Sequence, residues 1–213
     1  MRTARWLILT VVLAGFFWRF PLVHFVPLKA AEQKKIAASF NATQFASDFW
    51  DNRLLPGLDQ SVKASVLLPA IQADAAAAKK QFARSVGLGT DYFYFLSGTG
   101  RVVAVSDDAV SLAVTEGSTN AEIDLQTGLV FGDALRDGTG LLNVNDYPNS
   151  QDFNDISSAL DHLVEIRVLP TLKAQAKVGA QIAFAGCAEI DDEDTDLKPL
   201  KVIPIRVNLQ PSP

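Results

Sequence analysis

The fold is decided by the stretch Ser150-Gln-Asp-Phe-Asn-Asp-Ile-Ser-Ser-Ala-Leu-Asp-His-Leu163 and by what lies on either side of it. Its apolar side chains recur at helical spacing and share one face: Phe153, Ile156, Leu160 and Leu163. Asn149 or Ser150 can cap the first turn. Pro170 should bend or split the helix, which we expect to cover residues 150–178 in all.

Short β-rich runs stand before this helix and two more follow it. The earlier runs are residues 92–96, 101–106, 110–115, 122–126 with 129–131, and 141–144, and the later ones are residues 181–190 and 200–209. Three β-elements, a helix and two strands is the order of an OB-type barrel. The sequence therefore predicts an α+β protein in which residues 89–213 form a small, partly open OB-like β-barrel, with the long helix between strands 3 and 4.

Residues 31–88 have a helical pattern instead. Asn41 can cap a helix that carries Phe45, Phe49 and Trp50 on one stripe. Pro69 is expected to open a second, alanine-rich helix that runs to Arg84. We therefore expect an N-terminal helical subdomain at residues 31–88.

Charge divides the chain into two parts. The 213 residues carry 19 Lys and Arg against 24 Asp and Glu, a formal net charge of −5. Residues 1–30 hold four of the basic side chains and no acid, which leaves residues 31–213 at −9. Such an acidic body argues against a nucleic-acid partner, because affinity for phosphate comes from Lys and Arg.

Residues 1–30 have the layout of a signal or membrane anchor. Arg2 and Arg5 precede the uncharged run Trp6–Trp18, about 20 Å long as a helix and short of the ~30 Å bilayer core. Extension to Leu28 gives about 34 Å. We expect residues 6–28 to stay as an uncleaved anchor in the inner membrane, with the body in the periplasm. A cleaved signal peptide and a buried helix of a cytoplasmic domain are the alternatives.

Several enzyme chemistries lack their motifs. The two histidines are His24 in the leader and His162 on the long helix, too few for a multi-histidine metal site. Cys187 is the only cysteine, which excludes an intrachain disulfide. No Gly-x-Ser-x-Gly elbow, P-loop or dinucleotide fingerprint is present. We expect no cofactor and no metal.

Four stretches together resemble a known family. They are Phe49-Trp50 with Leu54-Leu-Pro56, Gly98-Thr-Gly-Arg-Val-Val103, Gly132-Asp-Ala-Leu-Arg-Asp137, and Gly140-Leu-Leu-Asn-Val-Asn-Asp-Tyr-Pro-Asn-Ser-Gln-Asp-Phe-Asn154. Over about residues 40–209 the chain resembles the bacterial family called domain of unknown function 2291, described as predicted periplasmic lipoproteins and often encoded beside sugar ABC transporters. The resemblance implies a helical piece with an OB-like barrel and brings no established activity. Many members carry a lipobox cysteine, which this leader lacks.

A polar cluster is the best candidate binding site: Arg136, Asp137, Asn143, Asn145, Asp146 and Asn149. Asn, Asp and Arg offer planar donors and acceptors that suit sugar hydroxyls. The same residues are also explained by helix caps, a turn and an ion pair of Arg136 with Asp133 or Asp137.

Two further features are candidates. Tyr92 and Tyr94 alternate with Phe93 and Phe95, so the tyrosines could face out and stack on a sugar ring. Half-buried strand tyrosines are the commoner arrangement. The acidic loop at residues 191–196 could hold Ca²⁺, but it lacks EF-hand spacing and is better explained as a solvated hairpin tip.

Together these features predict a membrane-tethered periplasmic protein without enzymatic activity. It would bind a solute, most of all a sugar, or assist its uptake. Its partners would be ABC transporter subunits or a solute-binding protein. A hydrolase that uses two of Asp133, Asp137 and Asp146 is one alternative. An envelope scaffold without a small ligand is the other.

Overall fold

The computed structural model describes residues 40–86, 89–143 and 150–210. The expected anchor at residues 6–28 lies outside these ranges. Within them, no helix has both the length and the apolar character needed to cross a bilayer. The chain divides into two units, and Asn41–Pro213 is the compact unit that carries the elements below.

The first helix begins where the sequence predicts. Helix α1 (Ala42–Phe49) follows Asn41, whose side-chain oxygen accepts a hydrogen bond of 3.0 Å from the backbone N–H of Gln44. This bond satisfies one of the free donors of the first turn. A π-helical turn (Trp50–Leu54) and a 3₁₀ turn (Pro56–Gln60) continue the chain.

The second predicted helix is divided and starts earlier than expected. Helix α2 (Ala64–Ala73) contains Pro69 in its interior, so the expectation that Pro69 opens the helix is wrong. Asp74 is in an extended conformation and ends α2. Its side chain then caps α3 (Ala75–Phe82) by accepting a hydrogen bond of 3.0 Å from Ala77 N–H, a favourable start for a new helix.

The described strands pair in a closed ring. They are β1 (Val62–Lys63), β2 (Tyr92–Val105), β3 (Ala109–Ala113), β4 (Ile123–Gln126), β5 (Gln181–Ile190) and β6 (Leu200–Gln210). The pairing order is β2-β3-β4-β6-β5 and back to β2, with β1 added in parallel to β2. Strands β4 and β6 run parallel, and the other pairs of the ring are antiparallel.

The glycines of β2 allow close packing and do not end a strand. The sequence predicts separate strands at residues 92–96 and 101–106, but β2 runs through Gly98 and Gly100 without a break. A Cβ atom on Gly98 would lie 2.9 Å from Cβ of Ala64, and one on Gly100 would lie 3.0 Å from Cβ of Leu112.

Residues 129–131, expected as a strand, form a loop in which Leu129 and Phe131 are exposed.

The helices between β4 and β5 complete the expected order. They are α4 (Ala134–Asp137), α5 (Ser150–Arg167) and α6 (Leu169–Gln175), and a short α7 (Glu193–Asp196) joins β5 to β6. The long helix is split at Val168, and Pro170 stands in the first turn of α6, where its missing N–H has no consequence. The α+β class and the position of the long helix, between the third and fourth strands of the ring, are confirmed.

Helix α5 buries the face that the sequence indicates. Its apolar residues Phe153, Ile156, Leu160 and Leu163 are each 6% exposed or less. The helix packs against α1, α4, α6 and β6. It therefore covers α4, which carries the candidate residues Arg136 and Asp137.

Candidate functional site

Arg136 is held by the two acids nearest to it in the chain. Its Nε and Nη2 donate hydrogen bonds of 2.8 and 2.7 Å to the two carboxylate oxygens of Asp137. Nη2 also lies 3.0 Å from Oδ2 of Asp133. The short helix α4 places all three groups on one side, and the paired geometry with Asp137 is the strong, bidentate kind.

Helix α5 covers the remaining face of the guanidinium. Nη1 donates to the carbonyl of Phe153 (3.5 Å) and to the side-chain oxygen of Asn154 (3.4 Å), and the group lies 3.9 Å from the centre of the Phe153 ring. Burial lowers the pKa of Arg136, but Asp137 and Asp133 outweigh this effect and raise it. Every nitrogen of the guanidinium therefore has an internal partner, as expected of a group that stabilises the fold.

Asp133 and two residues of α5, Ser157 and Asp161, extend this group. Ser157 donates a hydrogen bond of 2.8 Å to Oδ1 of Asp133. Asp161 is buried, and its Oδ1 has no hydrogen-bond partner among the described residues. We name Asp133, Arg136, Asp137, Ser157 and Asp161 the Arg136 cluster.

The six residues of the predicted polar site have different positions. The structure brings Arg136 and Asp137 together and buries both, and the ion pair offered as their alternative explanation is present. Asn143 is exposed. Asn145, Asp146 and Asn149 lie outside the described residues, so a binding role for this set stays a prediction.

The two described carboxylates of the hydrolase alternative, Asp133 and Asp137, pair with the same cation, although the side chain of Asp133 is 45% exposed. Asp137 is 7% exposed. A glycosidase needs one carboxyl group beside the leaving oxygen and another beside the attacked carbon. Among the described residues, Asp133 and Asp137 therefore fit a role in neutralising Arg136 better than a role in glycoside hydrolysis.

Tyr92 and Tyr94 do not face solvent, and this expectation is wrong. They are 1% and 0% exposed. Lys79 on α3 lies 3.9 Å from the centre of the Tyr92 ring, and the Tyr92 hydroxyl donates to Glu193 at 3.0 Å. The neighbouring Phe93 is buried as well, close to Gly138 after α4. Both faces of the strand are thus covered, so alternation along it does not mark an exposed side.

Burial also changes the acidity of these phenols. Burial first, and then the hydrogen bond to Glu193, raise the pKa of Tyr92 far above its ordinary value. Burial raises the pKa of Tyr94 to about 12. Both groups are therefore neutral side chains of the core, which does not suit the proposed stacking on a sugar ring.

An open cavity of about 440 Å³ lies beside strands β4, β5 and β6. Three chain segments supply most of it: the loop between β2 and β3, the loop after β4, and the β5–β6 connection. Its charged side chains are Asp108, Glu189, Asp191, Asp196 and Lys201, and its apolar ones include Leu129, Phe131 and Ile203. We name this set the acidic cavity.

The acids of the cavity differ in how strongly hydrogen bonds and nearby charges stabilise their ionised form. Burial raises the pKa of Asp196, but hydrogen bonds from Asp192 N–H, Lys201 and Asp191 N–H outweigh it and lower the pKa below its usual value. Burial and the nearby Asp91 and Asp196 raise the pKa of Asp191. The cavity keeps an excess of negative charge, because its one lysine is already paired with Asp196.

Glu189 connects the cavity to the Arg136 cluster. Its Oε2 accepts a hydrogen bond of 3.3 Å from the backbone N–H of Asp133. Burial raises the pKa of Glu189, the Asp133 N–H lowers it, and the acids Asp191, Asp133 and Asp91 raise it further, so the net shift is upward. Gly132 has φ +120°, and a Cβ there would lie 2.9 Å from the same oxygen.

Three carboxylates at the cavity rim stand close together. Oxygens of Asp91, Glu189 and Asp191 lie within 4.8 Å of one another, a spacing compatible with a hard cation. Asp91 and Asp191 are exposed, and exposed acids are often this close without an ion. In the acidic loop, Asp192 caps α7, which gives this part of the loop a structural explanation.

Sequence reasoning missed most of the cavity. Phe131 was assigned to a strand, although Gly128 and Gly132 on either side are typical of a loop tip. Glu189 is the one charged residue in an apolar strand, which was a signal of a special position. The remaining lining residues are far apart in the sequence and carry no shared pattern.

A ring with this pairing order, with its long helix between the third and fourth strands, defines an OB-fold protein. A crystal structure of an OB-fold protein from Thermotoga maritima MSB8 is similar, with a TM-score of 0.71 and 23% sequence identity. The similarity covers 81% of this chain and 99% of that chain.

The chain belongs to the family DUF2291, described as "Predicted periplasmic lipoprotein", whose family model matches residues 7–208. No curated protein matches the sequence. The resemblance drawn from the four sequence stretches is therefore confirmed. The family's description agrees with the expected periplasmic location.

Proposed function

We propose that this protein is a membrane-tethered periplasmic binding or accessory module without enzymatic activity, which works with solute uptake, most of all of sugars. The observation that supports it best is the position and lining of the acidic cavity. Residues 6–28 would hold the protein at the inner membrane as an uncleaved segment. Its partners would be ABC transporter subunits or a solute-binding protein.

The cavity lies where proteins of this fold commonly bind ligands. OB-folds bind oligosaccharides and oligonucleotides with the loop between ring strands 1 and 2 and the loop between ring strands 4 and 5. Here Asp108 comes from the first of these loops, and Asp191 and Asp196 come from the second. The analogy is one of fold alone, so the lining has to supply the chemistry.

The lining favours a hydroxyl-rich solute over a nucleic acid. Four carboxylates and one paired lysine would repel phosphate. Carboxylates accept hydrogen bonds from hydroxyl groups, and the ring of Phe131, which is 74% exposed, offers an apolar face beside them. An exposed aromatic ring beside carboxylates is a combination that suits a sugar ring.

Calorimetry on the full chain in detergent, with a panel of neutral sugars and amino sugars, tests the binding role. Phe131→Ala should weaken binding about two- to tenfold, because an aromatic contact contributes about 0.5–1.5 kcal/mol beyond its area. Val178→Ala is the matched control, since Val178 is 67% exposed and outside the cavity lining. The binding role fails if no sugar produces heat, or if both variants bind as the wild type does.

Photo-crosslinking in the intact cell envelope tests the partner. A crosslinking residue placed at Phe131 should recover a transporter subunit or solute-binding protein, and one placed at Val178 should not. Equal recovery from both positions, or recovery of neither protein class, would count against an accessory role in uptake.

A further inference from the structure

Asp161 is a buried carboxyl group with one oxygen, Oδ1, that lacks a hydrogen-bond partner among the described residues. The residue is 6% exposed. A neutral acid is far less costly to bury than an unpaired carboxylate. The site therefore accepts Asp161 with its proton and disfavours it without one.

The charges around Asp161 act in the same direction. Burial has the largest effect, and Asp133, Glu165 and Glu189 add repulsion, which together raise the pKa of Asp161 to about 7. Arg136 opposes this shift, but Asp133 and Asp137 already neutralise it at contacts of 2.7–3.0 Å. Little of its positive charge is left to stabilise an ionised Asp161.

The other elements packed on α5 also carry charged groups. These are Asp48 on α1, Lys173 on α6, and Lys201 and Arg206 on β6. Asp48 accepts a hydrogen bond from Gln44, and Lys201 pairs with Asp196. On α5 itself, His162 is exposed and its Nδ1 lies 3.6 Å from Oε2 of Glu165.

We propose that Asp161 is a pH-sensitive residue that loosens α4 from β5 when it loses its proton. An ionised Asp161 would repel Asp133 and Glu189, which are joined by the hydrogen bond from Asp133 N–H to Glu189 Oε2. Because Glu189 also lines the acidic cavity, the same change would alter the cavity wall. A role of this change in regulating solute binding rests on the proposed function. The loosening of α4 from β5 does not depend on it.

Cys187 can report this movement. It is the only cysteine of the chain and is fully buried on β5. Its Sγ would lie 3.2 Å from a Cβ on Gly138, the residue that ends α4. A maleimide should therefore reach the thiol when α4 separates from β5.

The test measures the rate of maleimide labelling of Cys187 in the full chain, in detergent, from pH 5 to 8.5. The ratio of the wild-type rate to the Asp161→Asn rate should rise on the order of tenfold between pH 5 and 7 and stay level above about pH 7.5. This ratio cancels the ionisation of the thiol itself. Asp155→Asn, an exposed change on the same helix, should follow the wild type. A ratio that stays flat overturns the proposal.

Glu189→Gln supplies a second test, which remains valid if Asp161→Asn does not fold. Removal of one repelling carboxylate lowers the pKa of Asp161, so the rise in labelling should be smaller and end at lower pH. An unchanged profile would overturn the proposal. No solute is present in either measurement. Failure of the solute-binding proposal would therefore leave both results interpretable.

Discussion

The Arg136 cluster and the acidic cavity use the same residue types for different ends. Both collect several carboxylates around one cation, and the bond from Asp133 to Glu189 joins them. In the cluster, Arg136 is 6% exposed and all its nitrogens are engaged. In the cavity, Asp108 and Asp191 are exposed, and Phe131 and Leu129 point their apolar surface at solvent.

The difference teaches that burial decides what a carboxylate can do. A buried charge must be paired, so its partner is lost to any ligand. An exposed one is solvated and keeps its hydrogen-bonding capacity for a solute. Substitutions should therefore destabilise the cluster strongly and the cavity weakly.

The largest effect is expected for Arg136→Met. It leaves Asp133 and Asp137 without their cation, which should cost about 3–5 kcal/mol of the free energy of unfolding. Arg167→Met is the control, because its pair with Asp51 is exposed and should be worth less than about 1 kcal/mol. Urea unfolding measures both, and equal losses would erase the contrast between cluster and surface.

The next effect is a dependence of stability on pH. Asp161 has a folded-state pKa of about 7 against an ordinary value of 3.8, so the folded state binds its proton more tightly than the unfolded state. Stability should therefore fall as pH rises from about 4 to 7, by up to about 4 kcal/mol. Urea unfolding at several pH values measures this slope. Asp161→Asn should flatten it, and an identical slope in the variant would contradict this assignment.

A smaller effect is expected where the two regions meet. Gly132→Ala forces a side chain into φ +120° and against Glu189, and should cost about 1–3 kcal/mol. Gly117→Ala is the matched control, since Gly117 has φ +78° and nothing lies within 4 Å of the added Cβ. Thermal unfolding should show the larger loss for Gly132→Ala. Equal losses would mean that the contact with Glu189 adds nothing.

The smallest effect belongs to the cavity rim. Asp191→Asn removes a charge whose pKa is raised by burial and by Asp91 and Asp196, so stability should stay within about 0.5 kcal/mol or rise slightly. Chemical denaturation at pH 7 measures it. A loss above about 1 kcal/mol would show that the ionised group is structural, and the rim would then resemble the cluster.

The parts of the fold that follow from local signals were predictable. Asn41 caps α1, and β5 covers the expected residues 181–190, because caps and strand propensity act within a few residues. Pro69 was misplaced, since its interior position in α2 depends on the packing of the whole helix. Tyr92 and Tyr94 were misjudged because Lys79 and Glu193, which cover them, are distant in the sequence.

The candidate site was predictable only in part. The ion pair of Arg136 with Asp137 was foreseen as one of two explanations, because the residues are neighbours. The acidic cavity was not, since its lining comes from residues 108 to 203 and no local pattern connects them. Asp161 carries no local signal, and its burial on the inner side of α5 depends on the elements packed against that helix.

The sequence by itself determined the order of helices and strands, the acidic character of residues 31–213 and the presence of a single cysteine, because these depend on composition and short-range preference. Only the tertiary structure decided which acids are buried and which are open. Acidity and hydrogen bonding depend on the groups that surround a side chain, and here α5 and the closed ring supply those groups from distant parts of the chain. The same residue type thus stabilises the fold at Asp137 and faces solvent at Asp191.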